Sequence, residues 1–161
     1  MKLILFLGAL FVAGAIANDL PSADMVVVSK TERKLYLMRD GYSFREYSIA
    51  LGDQPVGHKE REGDERTPEG SYLLDWRNPE SRFYKSIHIS YPNAADEKRA
   101  RELGADPGGM IMIHGEVEAP VLRRLNKLRN DWTDGCIAVS NAETEEIWHS
   151  VSDGTPIEIL P

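Results

Sequence analysis

The sequence contains a single cysteine, Cys136, among its 161 residues. One thiol cannot close a disulfide within the chain, so the fold must be stable without that cross-link. Cys136 is therefore a buried apolar residue, half of an intermolecular bridge, or a reactive group. Only its sequence neighbours can decide among these three roles.

Basic residues are also in deficit, because 19 Lys and Arg stand against 26 Asp and Glu and give a net charge of −7. This balance argues against nucleic acid or an anionic membrane surface as the main partner. Two basic clusters, at 98–101 and 123–129, are interpreted as solvated helix faces, since such runs are common on helices.

Patterns that bind metals and cofactors are missing. The histidines His58, His88, His114 and His149 are 26 or more residues apart, and only one cysteine accompanies them. Metal ligands usually come in closer pairs, so we predict no metal site. No glycine-rich phosphate loop leads from a strand into a helix, and we predict no cofactor.

Only one long hydrophobic run occurs, at the N-terminus. Lys2 precedes the 15 uncharged residues Leu3–Ala17, which end in the small-residue pattern Ala15-Ile16-Ala17. This arrangement is typical of a secretory signal peptide cleaved after Ala17, whereas a spanning helix needs about 20 apolar residues. We therefore expect a secreted protein of the periplasm or cell envelope, with one domain over residues 18–161 and no stable membrane insertion.

The remaining sequence alternates short strand patterns with a few helical ones. Apolar or alternating segments predict strands at 25–29, 34–39, 42–51, 71–76, 86–90, 110–113 and 155–160. Helices are predicted at 94–103, at 120–129 with an apolar side, and from the capping-box pair Ser140 and Glu143 to about Val151. Residues 52–70 read as a long loop. The mixture predicts a β-rich α+β domain.

The thiol lies in the segment Thr133–Ile137, directly after Gly135. Glycine lets a backbone approach a ligand closely, so this turn can hold a nucleophile together with amides that stabilise an oxyanion. The candidate base is His114, which ends a buried strand before Gly115. From the residues alone, a structural cysteine and a structural histidine remain alternatives.

Three ordered elements resemble the catalytic domain of the L,D-transpeptidase (YkuD-type) family. They are the His-Gly pair in Ile113–Gly115, the Thr-x-Gly-Cys-Ile pattern of Thr133–Ile137, and the upstream Thr-Pro-x-Gly-x-Tyr pattern of Thr67–Tyr72. Together they form a specific signature that covers essentially the whole chain after the signal peptide. The pattern with a small residue after Ile137 is similar to that of the periplasmic YafK-like branch of the family.

The resemblance implies a β-sandwich-like catalytic domain in which Cys136 is the nucleophile, His114 the base, and the Gly115 carbonyl the group that orients the imidazole. It implies acyl transfer through a thioester on peptidoglycan stem peptides that contain diaminopimelate. The backbone amides of Asp134, Gly135 and Cys136 would form the oxyanion hole, next to Thr133. Tyr91 is a further candidate for the substrate cleft, although turn formation alone explains the residues that follow it. Trp132 could stack on substrate or anchor the loop.

Two positions depart from the commonest family pattern, and several functions stay open. Ala138 stands where arginine or asparagine is frequent, and Asp134 stands where histidine is frequent; a carboxylate there disfavours a thiolate. The YafK-like branch includes an enzyme that releases a lipoprotein from peptidoglycan. A hydrolase (L,D-carboxypeptidase or amidase) with an envelope lipoprotein as partner therefore remains possible. So do a non-catalytic peptidoglycan-binding module and a redox-sensing thiol.

Overall fold

The computed structural model describes residues 20–117, 119–126 and 130–161. The expected signal peptide at 1–17 and the end of the predicted 120–129 helix lie outside these ranges. Within them, every helix is too short or too polar to cross a membrane.

The strands of the described residues form one mixed sheet. They are β1 Met25–Ser29, β2 Lys34–Arg39, β3 Tyr42–Ser48, β4 Gly70–Ser81, β5 Tyr84–Ile89, β6 Met112–His114, β7 Ile137–Ala138 and β8 Thr155–Leu160. Their order is β3-β2-β1-β8-β4-β5-β6-β7. The pairs β1–β8 and β6–β7 are parallel, and the remaining neighbours are antiparallel.

The two edges of this sheet meet through the residues that follow β3. The amide of Ala50 donates to the Ala138 carbonyl and the amide of Ala138 donates to the Ala50 carbonyl, each at 2.9 Å. Because Ala138 belongs to β7 at the far edge, this reciprocal pair closes the sheet on itself. The strand predicted at 42–51 therefore ends at Ser48, since the chain leaves β2 there and crosses to the opposite edge.

The core lies inside the closed sheet. Side chains alternate along a strand, and every second residue of β1, β2 and β8 points inward. Burying each such side chain contributes about 1.5–3 kcal/mol, so this face dominates the stabilisation of the fold. The inward residues of these three strands are at most 1% exposed: Val26, Val28, Leu35, Leu37, Ile157 and Ile159.

Three helices occur among the described residues: α1 Ala94–Glu102, α2 Pro120–Asn126 and α3 Asn141–Ser150. The capping box predicted for α3 is present, with Ser140 accepting from the Glu143 amide and Glu143 accepting from the Ser140 amide. The apolar side of α2 does not pack on the core. Its residues Val121, Leu122 and Leu125 are 71%, 51% and 52% exposed.

Several boundaries differ from the sequence predictions. β4 runs on to Ser81, past Pro79, because the β4–β5 ladder shifts register after Asn78 and the missing proline donor falls outside the regular pairing. The strand predicted from 110 begins only at Met112, because Met110 has a φ of 56° and is exposed. The β-rich α+β class is confirmed.

Candidate active site

The parallel pairing of β6 with β7 sets the positions of the two candidate catalytic side chains. Ile113 pairs with Ile137, and His114 pairs with Ala138. Cys136 immediately precedes β7, so it lies on the same face as His114, one diagonal step away. Diagonal neighbours on adjacent strands are about 7–8 Å apart, which is within reach of an imidazole ring.

His114 and Cys136 both line one cavity of about 270 Å³. The sulfur is neither sealed in the core nor fully exposed. The cavity walls come from the β4–β5 hairpin at 81–83, the segment 109–112 and the turn 132–136. Three stretches that are distant in sequence thus build one open site around the single thiol.

The surroundings of His114 fix its tautomer. Its Nδ1 lies 2.6 Å from the carbonyl oxygen of Gly115, which can only accept, so Nδ1 carries the proton and the neutral ring keeps a lone pair on Nε2. Phe83 stacks on the ring at 4.4 Å and Trp132 meets it edge-on at 5.7 Å. Burial lowers the pKa of His114 to about 4, against the opposing effect of the Gly115 hydrogen bond. The imidazole is therefore neutral near pH 7 and able to accept a proton.

The packing around residue 115 leaves no room for a side chain, so glycine is required there. A Cβ atom there would lie 2.6 Å from the Asn141 side-chain oxygen and 3.0 Å from the Phe83 carbonyl. The same Asn141 oxygen accepts from the Glu116 amide at 2.8 Å, so the start of α3 holds the end of β6 in place. A side chain at this position would displace the carbonyl that orients His114.

The thiol of Cys136 is protonated at rest. Burial raises its pKa, and the backbone amide of Met112 opposes that rise. The negative charge of Asp134 raises the pKa further, while the positive charges of Lys59 and Arg82 lower it. A carboxylate at position 134 thus disfavours the thiolate, as the sequence indicated, and attack by this sulfur needs a base.

The turn before Cys136 is held by Thr133. The Thr133 hydroxyl accepts from the Gly135 amide at 3.2 Å and donates to the Cys136 carbonyl at 2.7 Å. Gly135 has a φ of 120°, and a Cβ there would lie 2.6 Å from the Arg66 carbonyl. The Thr133 hydroxyl and the Gly135 amide are thus both hydrogen-bonded within the turn. The Gly135 amide is therefore not available to an oxyanion. The amides of Asp134 and Cys136 remain as candidate donors.

Tyr91 does not line the cavity, so its predicted contact with substrate is wrong. Its side chain is 2% exposed, packs against Tyr72 at 6.0 Å and donates to the Pro107 carbonyl at 3.0 Å. Tyr91 follows the end of β5 by two residues, and its ring belongs to the core cluster. Tyr91 instead supports the chain just before the cavity segment 109–112.

The turn that carries Cys136 has an anchor that no local sequence pattern indicates. The Asp131 carboxylate accepts hydrogen bonds from Nε and Nη2 of Arg33 at 2.9–3.1 Å. It also accepts one from the Leu51 amide at 3.0 Å. The amides of Trp132 and Thr133 both donate to the Leu51 carbonyl at 3.1 Å. Arg33 and Asp131 are 98 residues apart, so no local pattern could have revealed this contact.

Two further side chains at the cavity were not singled out from the sequence. Arg82 and Phe83 reach it because they form the tip of the β4–β5 hairpin. The strand predicted at 71–76 ends before this hairpin, so the prediction could not place either residue at the cavity. Among the described residues, no group of three or more His, Cys, Asp or Glu side chains is arranged to hold a metal ion.

Residues 23–159 match the YkuD family, described as the L,D-transpeptidase catalytic domain. The chain belongs to this family. A curated relative is YafK of Escherichia coli K12, a protein assigned to the L,D-transpeptidases. It is 34% identical over 120 residues, which cover 73% of this chain and 39% of YafK.

Solved structures of related proteins show the same fold. The helical cell shape determining protein Pgp2 of Campylobacter jejuni aligns with a TM-score of 0.63 and 30% identity over 84% of this chain and 46% of Pgp2. Bd1075 of Bdellovibrio bacteriovorus aligns with a TM-score of 0.57 and 26% identity over 84% of this chain and 47% of its own. The chain thus spans less than half the length of each of these relatives.

Proposed function

We propose that this protein is a peptidoglycan L,D-transpeptidase in which Cys136 is the nucleophile and His114 the general base. One observation carries the proposal: the single thiol and an imidazole with a free Nε2 lone pair line the same open cavity. Membership of the L,D-transpeptidase family supports the reaction class. The substrates are stem peptides that contain a diaminopimelate-type residue.

The first half-reaction forms a thioester. His114 Nε2 takes the thiol proton while Sγ attacks the carbonyl carbon of the diaminopimelate-type residue. The amides of Asp134 and Cys136 stabilise the oxyanion, because the Gly135 amide is already bonded to Thr133. The C–N bond then breaks, and Nε2 returns the proton to the leaving amine.

The second half-reaction depends on the acceptor. An amine that attacks the thioester carbonyl gives a new cross-link and regenerates the thiol. Water in the same place gives hydrolysis, which corresponds to L,D-carboxypeptidase trimming or to release of a peptidoglycan-linked lipoprotein. We place the reaction in the periplasm or cell envelope, because the apolar run Leu3–Ala17 indicates export.

Digestion of isolated sacculi with the purified protein tests this function. Mass spectrometry of the muropeptides should show cross-linked, trimmed or released products that depend on the protein. Replacing Cys136→Ala should abolish them, and His114→Gln should slow them by about 10²–10⁴-fold.

The control is His149→Gln, which removes an exposed histidine of α3 and should leave the rate unchanged. A Cys136→Ala protein that still processes muropeptides at the wild-type rate would refute the nucleophile. Sacculi left unaltered by the wild-type protein would favour a non-catalytic binding module.

A further inference from the structure

The β4–β5 hairpin brings a positive charge to the catalytic cavity. Ser81 pairs with Tyr84, so Arg82 and Phe83 form a two-residue loop whose position is fixed by the flanking strands. The guanidinium carbon of Arg82 lies 4.7 Å from the centre of the Phe83 ring, and that ring stacks on His114. The Phe83 ring thus contacts both the cation and the imidazole.

Arg82 differs from the other cations near the site in having no counter-ion. Lys59 is paired with Asp64 at 2.9 Å, and Arg123, in the neighbouring cavity, is paired with Glu116 at 3.4 Å. Among the residues that the structure describes, Arg82 forms no ion pair, although Asp134 lines the same cavity. Its guanidinium instead lies over the Phe83 ring.

The charge of Arg82 acts on the reacting groups. It lowers the pKa of both His114 and Cys136, which places it within electrostatic range of the two. A protein of net charge −7 that leaves one arginine unneutralised at its catalytic cavity offers a specific place for an anion.

We propose that Arg82 binds a carboxylate of the substrate peptide and thereby orients the scissile amide toward Cys136. Guanidinium groups bind carboxylates through two parallel hydrogen bonds, which fix orientation as well as position. The two residues that flank the scissile bond of a stem tetrapeptide each offer one such group, the C-terminal carboxylate of the leaving residue and the carboxylate on the diaminopimelate side chain. The identity of this peptide ligand rests on the proposed function.

The first test does not depend on peptidoglycan chemistry. Iodoacetate and iodoacetamide alkylate a thiol by the same displacement of iodide, but only iodoacetate carries a carboxylate. The ratio of their rates at Cys136 therefore cancels the effect of the thiol pKa and reports how well the cavity attracts the anion.

Arg82→Gln should lower this ratio by about 10-fold, as expected for the loss of a charge-assisted contact. Arg82→Lys should keep most of the ratio, because the charge remains. The matched control Arg101→Gln removes the same charge from the exposed face of α1 and should leave the ratio unchanged. A ratio that is the same in Arg82→Gln and in wild type overturns the proposal.

The second test identifies the carboxylate. Binding of a synthetic stem tetrapeptide to the Cys136→Ala protein is measured by calorimetry with both carboxylates free, and again with each one amidated. Amidation of the carboxylate that Arg82 binds should weaken binding by about 10-fold when Arg82 is present. The same amidation should not change binding when the protein also carries Arg82→Gln.

Amidations that remain equally costly in Arg82→Gln contradict a role for Arg82 in binding the peptide. If the tetrapeptide does not bind at all while the alkylation ratio still falls in Arg82→Gln, the carboxylate site stands and the proposed peptide substrate is wrong. Failure of the carboxylate site at Arg82 and failure of the proposed peptide substrate therefore give different results.

Discussion

His114 and Cys136 are both withdrawn from water, and burial shifts their pKa values in opposite directions. The pKa of His114 falls to about 4 and that of Cys136 rises, so both groups are neutral near pH 7. The pair is therefore not a resting thiolate–imidazolium pair. In the proposed mechanism, proton transfer therefore accompanies attack on the substrate, and the hydrogen bond to the Gly115 carbonyl leaves Nε2 as the proton acceptor.

This shift makes a prediction about acid stability. Between the ordinary histidine pKa of 6.5 and about 4, the unfolded chain takes up a proton that folded His114 does not. The free energy of unfolding should therefore fall by up to about 3 kcal/mol as pH drops through this window. Between pH 7 and pH 4, the free energy of unfolding of His114→Gln should fall by about 3 kcal/mol less than that of the wild type, as measured by urea unfolding.

The exposed histidine of α3 serves as the comparison. His149→Gln removes an exposed side chain, so it should change the loss of stability between pH 7 and pH 4 much less than His114→Gln does. If His114→Gln shows the same acid sensitivity as wild type, the imidazole is not held neutral in the folded protein.

At the scale of single elements, the sequence predicted what local patterning controls. Strands β1 and β2 match their predicted bounds, because alternation of apolar residues determines which face is buried. The capping box at Ser140 correctly marked the start of α3. The lengths of β3 and β4 were wrong because they depend on partners elsewhere in the chain.

The Arg33–Asp131 contact shows why element positions need tertiary information. It joins the end of the β1–β2 turn to the turn that carries Cys136, and the Asp131 carboxylate also accepts from the Leu51 amide. The Asp131 side chain is only 11% exposed, so its charge is partly shielded from water. Removing one partner leaves the other with an unmatched charge.

We therefore expect Asp131→Asn to lower the free energy of unfolding by about 1–3 kcal/mol and to slow muropeptide processing, because the turn that carries Cys136 loses its anchor. The comparison is Glu46→Gln, which breaks the exposed Lys34–Glu46 pair on β2 and β3. That change should cost less than about 0.5 kcal/mol and leave activity intact. Equal effects of the two substitutions, measured by urea unfolding and muropeptide analysis, would show that Asp131 does not support the turn.

At the scale of the whole molecule, closure of the sheet creates the site. The Ala50–Ala138 pair brings the segment after β3 against β7, and β6 then places His114 beside Cys136. The motifs around His114 and Cys136 are local, so the sequence could single out two residues that the structure brings to one cavity. Arg82 and Asp131 could not be found in this way, since a hairpin and a contact across 98 residues place them. Tyr91 was misassigned because its direction depends on packing against Tyr72.

The most direct measurement of the central claim is the mass of the protein trapped during turnover. The wild-type protein is mixed with a synthetic stem tetrapeptide, quenched with acid within seconds and analysed intact and after proteolysis. We predict an adduct on Cys136 equal to the acyl part of the peptide, which hydroxylamine removes and which is strongly reduced in His114→Gln. Turnover of the peptide with no such adduct on Cys136, or with an adduct on another residue, would contradict the account.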